Sequence, residues 1–235
     1  MVKYKEIDKM EALSNWWDNP ILLKDKLTGK IFKLKIETDD NPWNPREDCD
    51  NLCTITSGCG YWGIGDECLS KDELAQWRTT MNERALRGEV WWAPVYMYDH
   101  SGQTISLTDF NDRWDSGICG FIWVEKQKVF TWYPAATETN WKEFAQSAAE
   151  TEIKLYDQYI QGDVYVYTLY VAEETEHRRL SDNKAWTTTE WEFYESVGGF
   201  YGDPLESGLI DDAITMVAAS KESTTSDVVF IEEEK

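Results

Sequence analysis

The chain has 235 residues, with 44 Asp and Glu against 23 Lys and Arg, for a net charge of −21. Acidic chains poor in aromatics stay disordered, but 13 Trp, 12 Tyr and 8 Phe supply enough apolar surface for a core, so the charge belongs to a folded surface. Such a surface repels nucleic acid and anionic membranes and attracts cations or a basic protein groove over a Debye length of about 8 Å, so neither direct nucleic-acid binding nor membrane association is expected.

The first residues, 1–17, lack the apolar stretch of a signal peptide, and no window approaches the roughly 20 apolar residues of a membrane span, so a soluble, cytoplasmic protein is expected. Residues 21–37 alternate apolar and Lys positions around Leu27-Thr28-Gly29 and predict a half-buried hairpin. Residues 38–66 form a long segment rich in Asp, Asn, Pro, Gly and Cys, with little periodicity, of the length that usually carries function or disorder. Ser70 and Glu73 match a capping box, and Gly88 is a stop, which predicts a helix over 71–87. Strands are expected at 90–98, 103–107 and 118–125. A second helix follows from a cap at Asn140 to Ile160, with an apolar stripe of Trp141, Phe144, Ala148, Leu155 and Tyr159.

Aromatic, β-branched runs at 163–172 and 185–194 predict two more strands, and a short helix is expected within 205–219. The predicted architecture is one α+β domain over residues 1–220, a mostly antiparallel sheet with two main helices packed on one side. An acidic tail over 221–235 is expected to fray, with Val228 to Ile231 able to add an edge strand. Charge is uneven: residues 1–36 carry +3, 37–124 carry −10 and 125–235 carry −14.

Four groups of residues invite chemistry. Asp39, Asp48 and Asp50 offer the hard oxygen ligands that Ca²⁺ or Mg²⁺ needs, but their spacing is not that of an EF-hand, and Asp and Asn bonded to neighbouring backbone are the expectation. Of Cys49, Cys53, Cys59 and Cys68 only Cys49 and Cys53 resemble a close C-x2-4-C pair, where a zinc site wants two such pairs or nearby histidines, so zinc is not expected. With Cys119 these four make an odd set, for which free thiols in a reducing compartment are expected and buried ones are the default. Asp99 and His100, with Asp115, allow a histidine base oriented by a carboxylate, against the expectation of a turn residue satisfied by backbone bonds. Gly198-Gly199-Phe200-Tyr201-Gly202 is a flexible turn without a phosphate-binding pattern. No cofactor is expected on this reading.

The blocks Asn44-Pro45-Arg46-Glu47, Asp50-Asn51-Leu52, Gly65-Asp66, Tyr98-Asp99-His100-Ser101-Gly102, Trp114-Asp115-Ser116-Gly117, Gly162-Asp163-Val164-Tyr165 and Gly199-Phe200-Tyr201-Gly202 occur in an order that resembles a family of uncharacterised phage and prophage proteins. The likeness covers roughly residues 30–205 and departs from the pattern in the Cys-rich stretch 49–68. It implies a viral or mobile-element origin and action inside an infected cell. Small acidic phage proteins include inhibitors of host defence that imitate the phosphate array of a nucleic acid, so the expected partner is a basic, nucleic-acid-handling host protein or complex. The contributing carboxylates are expected to be Asp39, Asp40, Glu47, Asp48, Asp50, Asp66 and Glu67, with Glu173, Glu174 and Glu176 as a second cluster. A divalent-metal hydrolase or binder of a nucleotide signal, built on Asp39, Asp48 or Asp50 with Asp99, His100 and Asp115, is the enzymatic alternative. A structural interaction protein is the third reading.

Overall fold

The structure is a computed structural model that describes residues 3–58, 63–179, 181, 183–218 and 223–234. Its contacts divide the chain into two compact units where the sequence suggests one domain. Unit 1 comprises 1–42 and 163–235, and unit 2 comprises 43–162, inserted between two neighbouring strands of unit 1. Both are acidic, with net charges of −12 and −9 from the residue counts within those bounds.

Unit 1 is built on strands β1 (Tyr4–Glu6), β2 (Ile21–Asp25), β3 (Ile31–Thr38), β9 (Val164–Arg178), β10 (Ala185–Tyr201) and β11 (Val228–Glu233), with helices α1 (Lys9–Leu13) and α5 (Leu209–Ala218). The sheet order is β1-β11-β2-β3-β9-β10, and all its pairings are antiparallel. Period-two alternation sends Leu23, Phe32, Leu34, Tyr167 and Leu169 to one face, where α5 covers them with Leu209, Ile210, Ala213 and Val217. The Tyr167 hydroxyl, taken into that core, donates to Asp212 at 2.6 Å.

The segment expected to fray instead lies inside the sheet. β11 pairs with β1 on one side and β2 on the other, because Val228, Phe230 and Ile231 have apolar surface to bury. Residues 221, 222 and 235 of that tail lie outside the described residues.

Unit 2 contains β4 (Thr54–Gly58), β5 (Glu67–Leu69), β6 (Val90–Asp99), β7 (Gln103–Ser106) and β8 (Ser116–Glu125), in the order β5-β4-β8-β6-β7. Every pairing is antiparallel except β4 with β5. Its helices are α2 (Lys71–Leu86), α3 (Lys126–Trp132) and α4 (Trp141–Gln161). The predicted capping box forms at Ser70 and Glu73, and α4 stops where Gly162 adopts φ +75°, a left-handed conformation that glycine enters without strain.

The chain therefore has the α+β class with mostly antiparallel sheets. The two main helices, however, take opposite faces of the second sheet. Alternation along β8 sends Phe121 and Trp123 towards Trp77 of α2, and Ile122 and Val124 into the core shared with Ala145, Ala149 and Ile153 of α4. A sheet that is apolar on both faces needs cover on both, which the sequence signals in the unbroken apolar run of β8. Gly120 lets β4 approach β8, since a Cβ there would lie 2.6 Å from the Thr56 carbonyl oxygen.

Candidate functional site

Among the described residues, one side chain joins the loop before β4 to Asp66 and to α4. Arg46, 3% exposed, uses all five N–H donors: Nε–H and Nη2–H bond the two oxygens of Asp66, Nη1–H reaches Asn51 Oδ1 (3.1 Å) and Glu152 Oε2 (2.8 Å), and the second Nη2–H reaches the Cys53 carbonyl (2.8 Å). Glu152 of α4 also accepts the Leu52 and Cys53 N–H groups, and Asp66 accepts that of Ile55 at 2.7 Å. This network ties the segment to α4 and β4, and it removes Asp66 from the carboxylates free to meet a partner.

Two of the three proposed metal ligands accept local backbone N–H groups. Asp39 belongs to unit 1, where its carboxylate accepts from Asn41 (3.0 Å) and Gly199 (3.3 Å) backbone N–H groups. Asp48 accepts the Asn44 N–H at 2.8 Å, and Asp50 is exposed. Among the described residues, no group of three or more His, Cys, Asp or Glu is arranged to hold a metal ion.

The cysteines differ from the expected set of free thiols. Cys53 and Cys119 are buried and free, Cys49 is exposed and free, and Cys68 is disulfide-bonded; Cys59 lies outside the described residues. Burial pushes the Cys119 thiol up to about 12 and raises that of Cys53 further.

The turn between β6 and β7 and the start of β8 bring His100 Nδ1 within 3.1 Å of Asp115 Oδ2. Asp99 contributes its backbone N–H to the Asp115 carbonyl (2.9 Å), while its carboxylate faces Gln103 Nε2 at 3.5 Å. Ser101 holds φ +62° in this turn. Beside His100 is an open groove of about 380 Å³ lined by Tyr98, Gln103, Thr104 and Gln161. Trp114, 85% exposed, borders another of about 310 Å³ with Asp99 and Asp115. Asp112, not singled out in the sequence, accepts the Trp114 and Asp115 N–H groups (2.8 and 2.7 Å), which hold its carboxyl below the usual range.

The acidic residues divide into dispersed and concentrated sets. Asp40, Glu47, Asp48 and Asp50 are exposed on loops, and exposed Glu67 accepts the Thr56 hydroxyl at 3.0 Å. The second cluster is different. β3 pairs with β9 only as far as Val171, so beyond it β9 and β10 continue as a two-stranded arm. Glu173 and Glu190 are direct cross-strand partners on this arm, Glu192 follows on the same face opposite Val171, and Glu174 and Glu176 occupy the other face. None of these five carboxylates is in an ion pair among the described residues. Glu190 and Glu192 were legible only once β10 was aligned with β9, because register decides which acids face each other.

Comparison with protein-family models, curated proteins and solved structures finds no match. Among the described residues, no helix is long and apolar enough to cross a membrane.

Proposed function

We propose that this chain is an acidic binding protein of phage type that acts in the host cytoplasm by occupying the nucleic-acid groove of a basic host protein in a defence or nucleic-acid-handling complex. The observation that carries this reading is the β9–β10 arm. Like charges placed directly opposite across a ladder destabilise it, yet Glu173 faces Glu190, and among the described residues neither is in an ion pair. Glu173, Glu190 and Glu192 share one face within a two-residue step of about 7 Å, and Glu174 and Glu176 add two more charges on the other face. A dense, unneutralised array of this kind can compete with phosphates for a basic groove.

The resemblance to phage and prophage proteins favours the same reading, as does the acidity of both units. The test is capture from host lysate by the full chain and by the triple variant E173K/E190K/E192K. A basic nucleic-acid-handling protein retained by the wild type, released by salt and by competing nucleic acid, and lost with the variant supports it. Equal retention by both proteins, or no retained basic protein at low salt, would sink it.

The second reading, a hydrolase acting through His100, rests on the 3.1 Å His100–Asp115 contact. Here Asp115 would orient the imidazole and His100 would take the proton from water. The discriminating experiment is a phosphoester and nucleotide hydrolysis screen with wild type, H100Q and D115N. Turnover that both substitutions abolish without unfolding the chain favours catalysis over surface mimicry.

A further inference from the structure

The basic leading segment of the sequence folds into β2 and β3, and its lysines collect on the sheet face opposite the core of unit 1. In register, Leu22, Lys33, Tyr170 and Phe193 form one row across four strands, and Lys24 and Trp191 stand on the same face one row away. Pro20, Lys33, Lys35, Tyr170 and Trp191 line a groove of about 400 Å³, within the range of small-ligand sites. The Lys33 ammonium lies 4.6 Å from the Trp191 ring centre and 5.0 Å from that of Tyr170. Phe193, 64% exposed, meets Tyr170 edge-on at 6.5 Å.

A lysine stem often covers an aromatic ring, and that accounts for Lys33 over one of them. It does not account for a second ring, an exposed Phe193 and a second lysine on the same face of a chain with net charge −21. Lys35 is paired with Glu37 at 2.7 Å, but Lys24 and Lys33 are in no ion pair among the described residues.

We propose that this groove binds a nucleoside monophosphate, the base lying against Trp191 and Phe193 and the phosphate against Lys33 and Lys24. Flat rings select a flat ligand, and unneutralised ammonium groups select an anionic one. Trp191 and Phe193, two apart on β10, stand on one face about 6.8 Å apart along the strand. The charge count favours a single nucleotide over a strand. Two free cations match one phosphate, and Glu174 and Glu176, on the same face beyond the Trp191 row, repel any phosphate that follows. The groove borders the acidic arm, but the proposal does not rest on mimicry, and its lysine variants leave the arm's carboxylates in place.

The test is calorimetric titration of the full chain with adenosine 5′-monophosphate, adenosine, inorganic phosphate and an oligodeoxyadenylate of about ten nucleotides. The monophosphate is expected to bind, with adenosine and phosphate each weaker by about tenfold or more. K33Q should weaken it by about tenfold and K24Q by about threefold, with E143Q on α4 unchanged. Circular dichroism checks each fold, and K24Q carries the charge test should K33Q not fold. No binding of the monophosphate at about 1 mM, or unchanged affinity in the folded lysine variants, overturns the proposal. Tighter binding of the oligonucleotide than of the monophosphate also overturns it and assigns the face to single strands.

Discussion

Arg46 and Glu152, separated by 106 positions in the chain, meet at 2.8 Å inside unit 2. With Asp66 on its other side, the guanidinium is fully paired and fully hydrogen-bonded, the condition under which a buried ion pair is tolerated. Removing one partner leaves the others charged and desolvated. R46M is expected to destabilise unit 2 by about 3–5 kcal/mol, and E152Q by less because its amide still accepts one bond. R46K should not rescue, since an ammonium has three donors and no planar fork. Urea unfolding followed by tryptophan fluorescence measures all three, and an R46K midpoint equal to wild type would show that the network is not a stability element.

Acid pH should act through Asp25, a residue with no exposed surface at the end of β2. Burial alone would raise its carboxyl. Hydrogen bonds from Thr28, the Leu27 N–H and Ser223 outweigh it and hold the carboxyl below the ordinary value. A folded-state pKa below the unfolded one contributes stability that is fully present above the unfolded value of about 3.9 and is lost as pH falls through the folded value. D25N is therefore expected to be less stable than wild type at neutral pH, with the two unfolding curves converging below about pH 4. Parallel curves from pH 7 to pH 3 would rule the Asp25 carboxylate out as a source of the pH dependence.

The elements easiest to read in the sequence were those defined by local chemistry. The Ser70–Glu73 box, the Gly162 stop and the alternating 21–37 hairpin each depend on a few neighbouring residues, and all form as read. The misplaced features depend on distant ones. α4 buries Trp141 and Ala148 of the predicted stripe, but the buried face continues through Ala145, Ala149, Ile153 and Tyr156, while Phe144 and Tyr159 pack at its margin. β9 and β10 extend past their apolar runs because each supplies the other's hydrogen bonds, and acidic residues then ride on a ladder they do not encode. His100 and Asp115 meet while the Asp99 carboxylate faces Gln103, and Asp39 folds with unit 1 but Asp48 and Asp50 with unit 2, a division that no local spacing reports.

The Glu173–Glu190 pair predicts that the arm is stabilised by anything that neutralises it. E190K converts a repelling cross-strand pair into an attracting one and should stabilise the arm by about 0.2–1 kcal/mol at low salt. The gain should shrink as salt shortens the Debye length from about 30 Å at 0.01 M to about 10 Å at 0.1 M. Amide hydrogen exchange of residues 172–178 and 185–193 reads the arm directly, and unchanged protection in E190K at low salt would show that the two carboxylates do not repel. If the charge pair serves a partner, E190K should also weaken capture from lysate while strengthening the arm. That opposition of stability and binding is absent when the acids serve solubility alone.

Thiol chemistry separates the cysteines by position. The thiolate is the reactive form, so Cys53 and Cys119, buried and with their thiols raised, are expected to resist alkylation at pH 8. Cys49 is exposed and free and should react first. Cys68 should react only after reduction, because it is disulfide-bonded. Iodoacetamide labelling with peptide mass mapping, before and after mild reduction, gives the order Cys49, then Cys68, with Cys53 and Cys119 modified only on unfolding. Labelling of Cys68 in the unreduced native chain would show that the bond does not form in the isolated protein and would restore the free-thiol expectation for that position. Labelling of Cys53 at the rate of Cys49 would mean that the segment held by Arg46 opens far more often than its saturated hydrogen bonding allows.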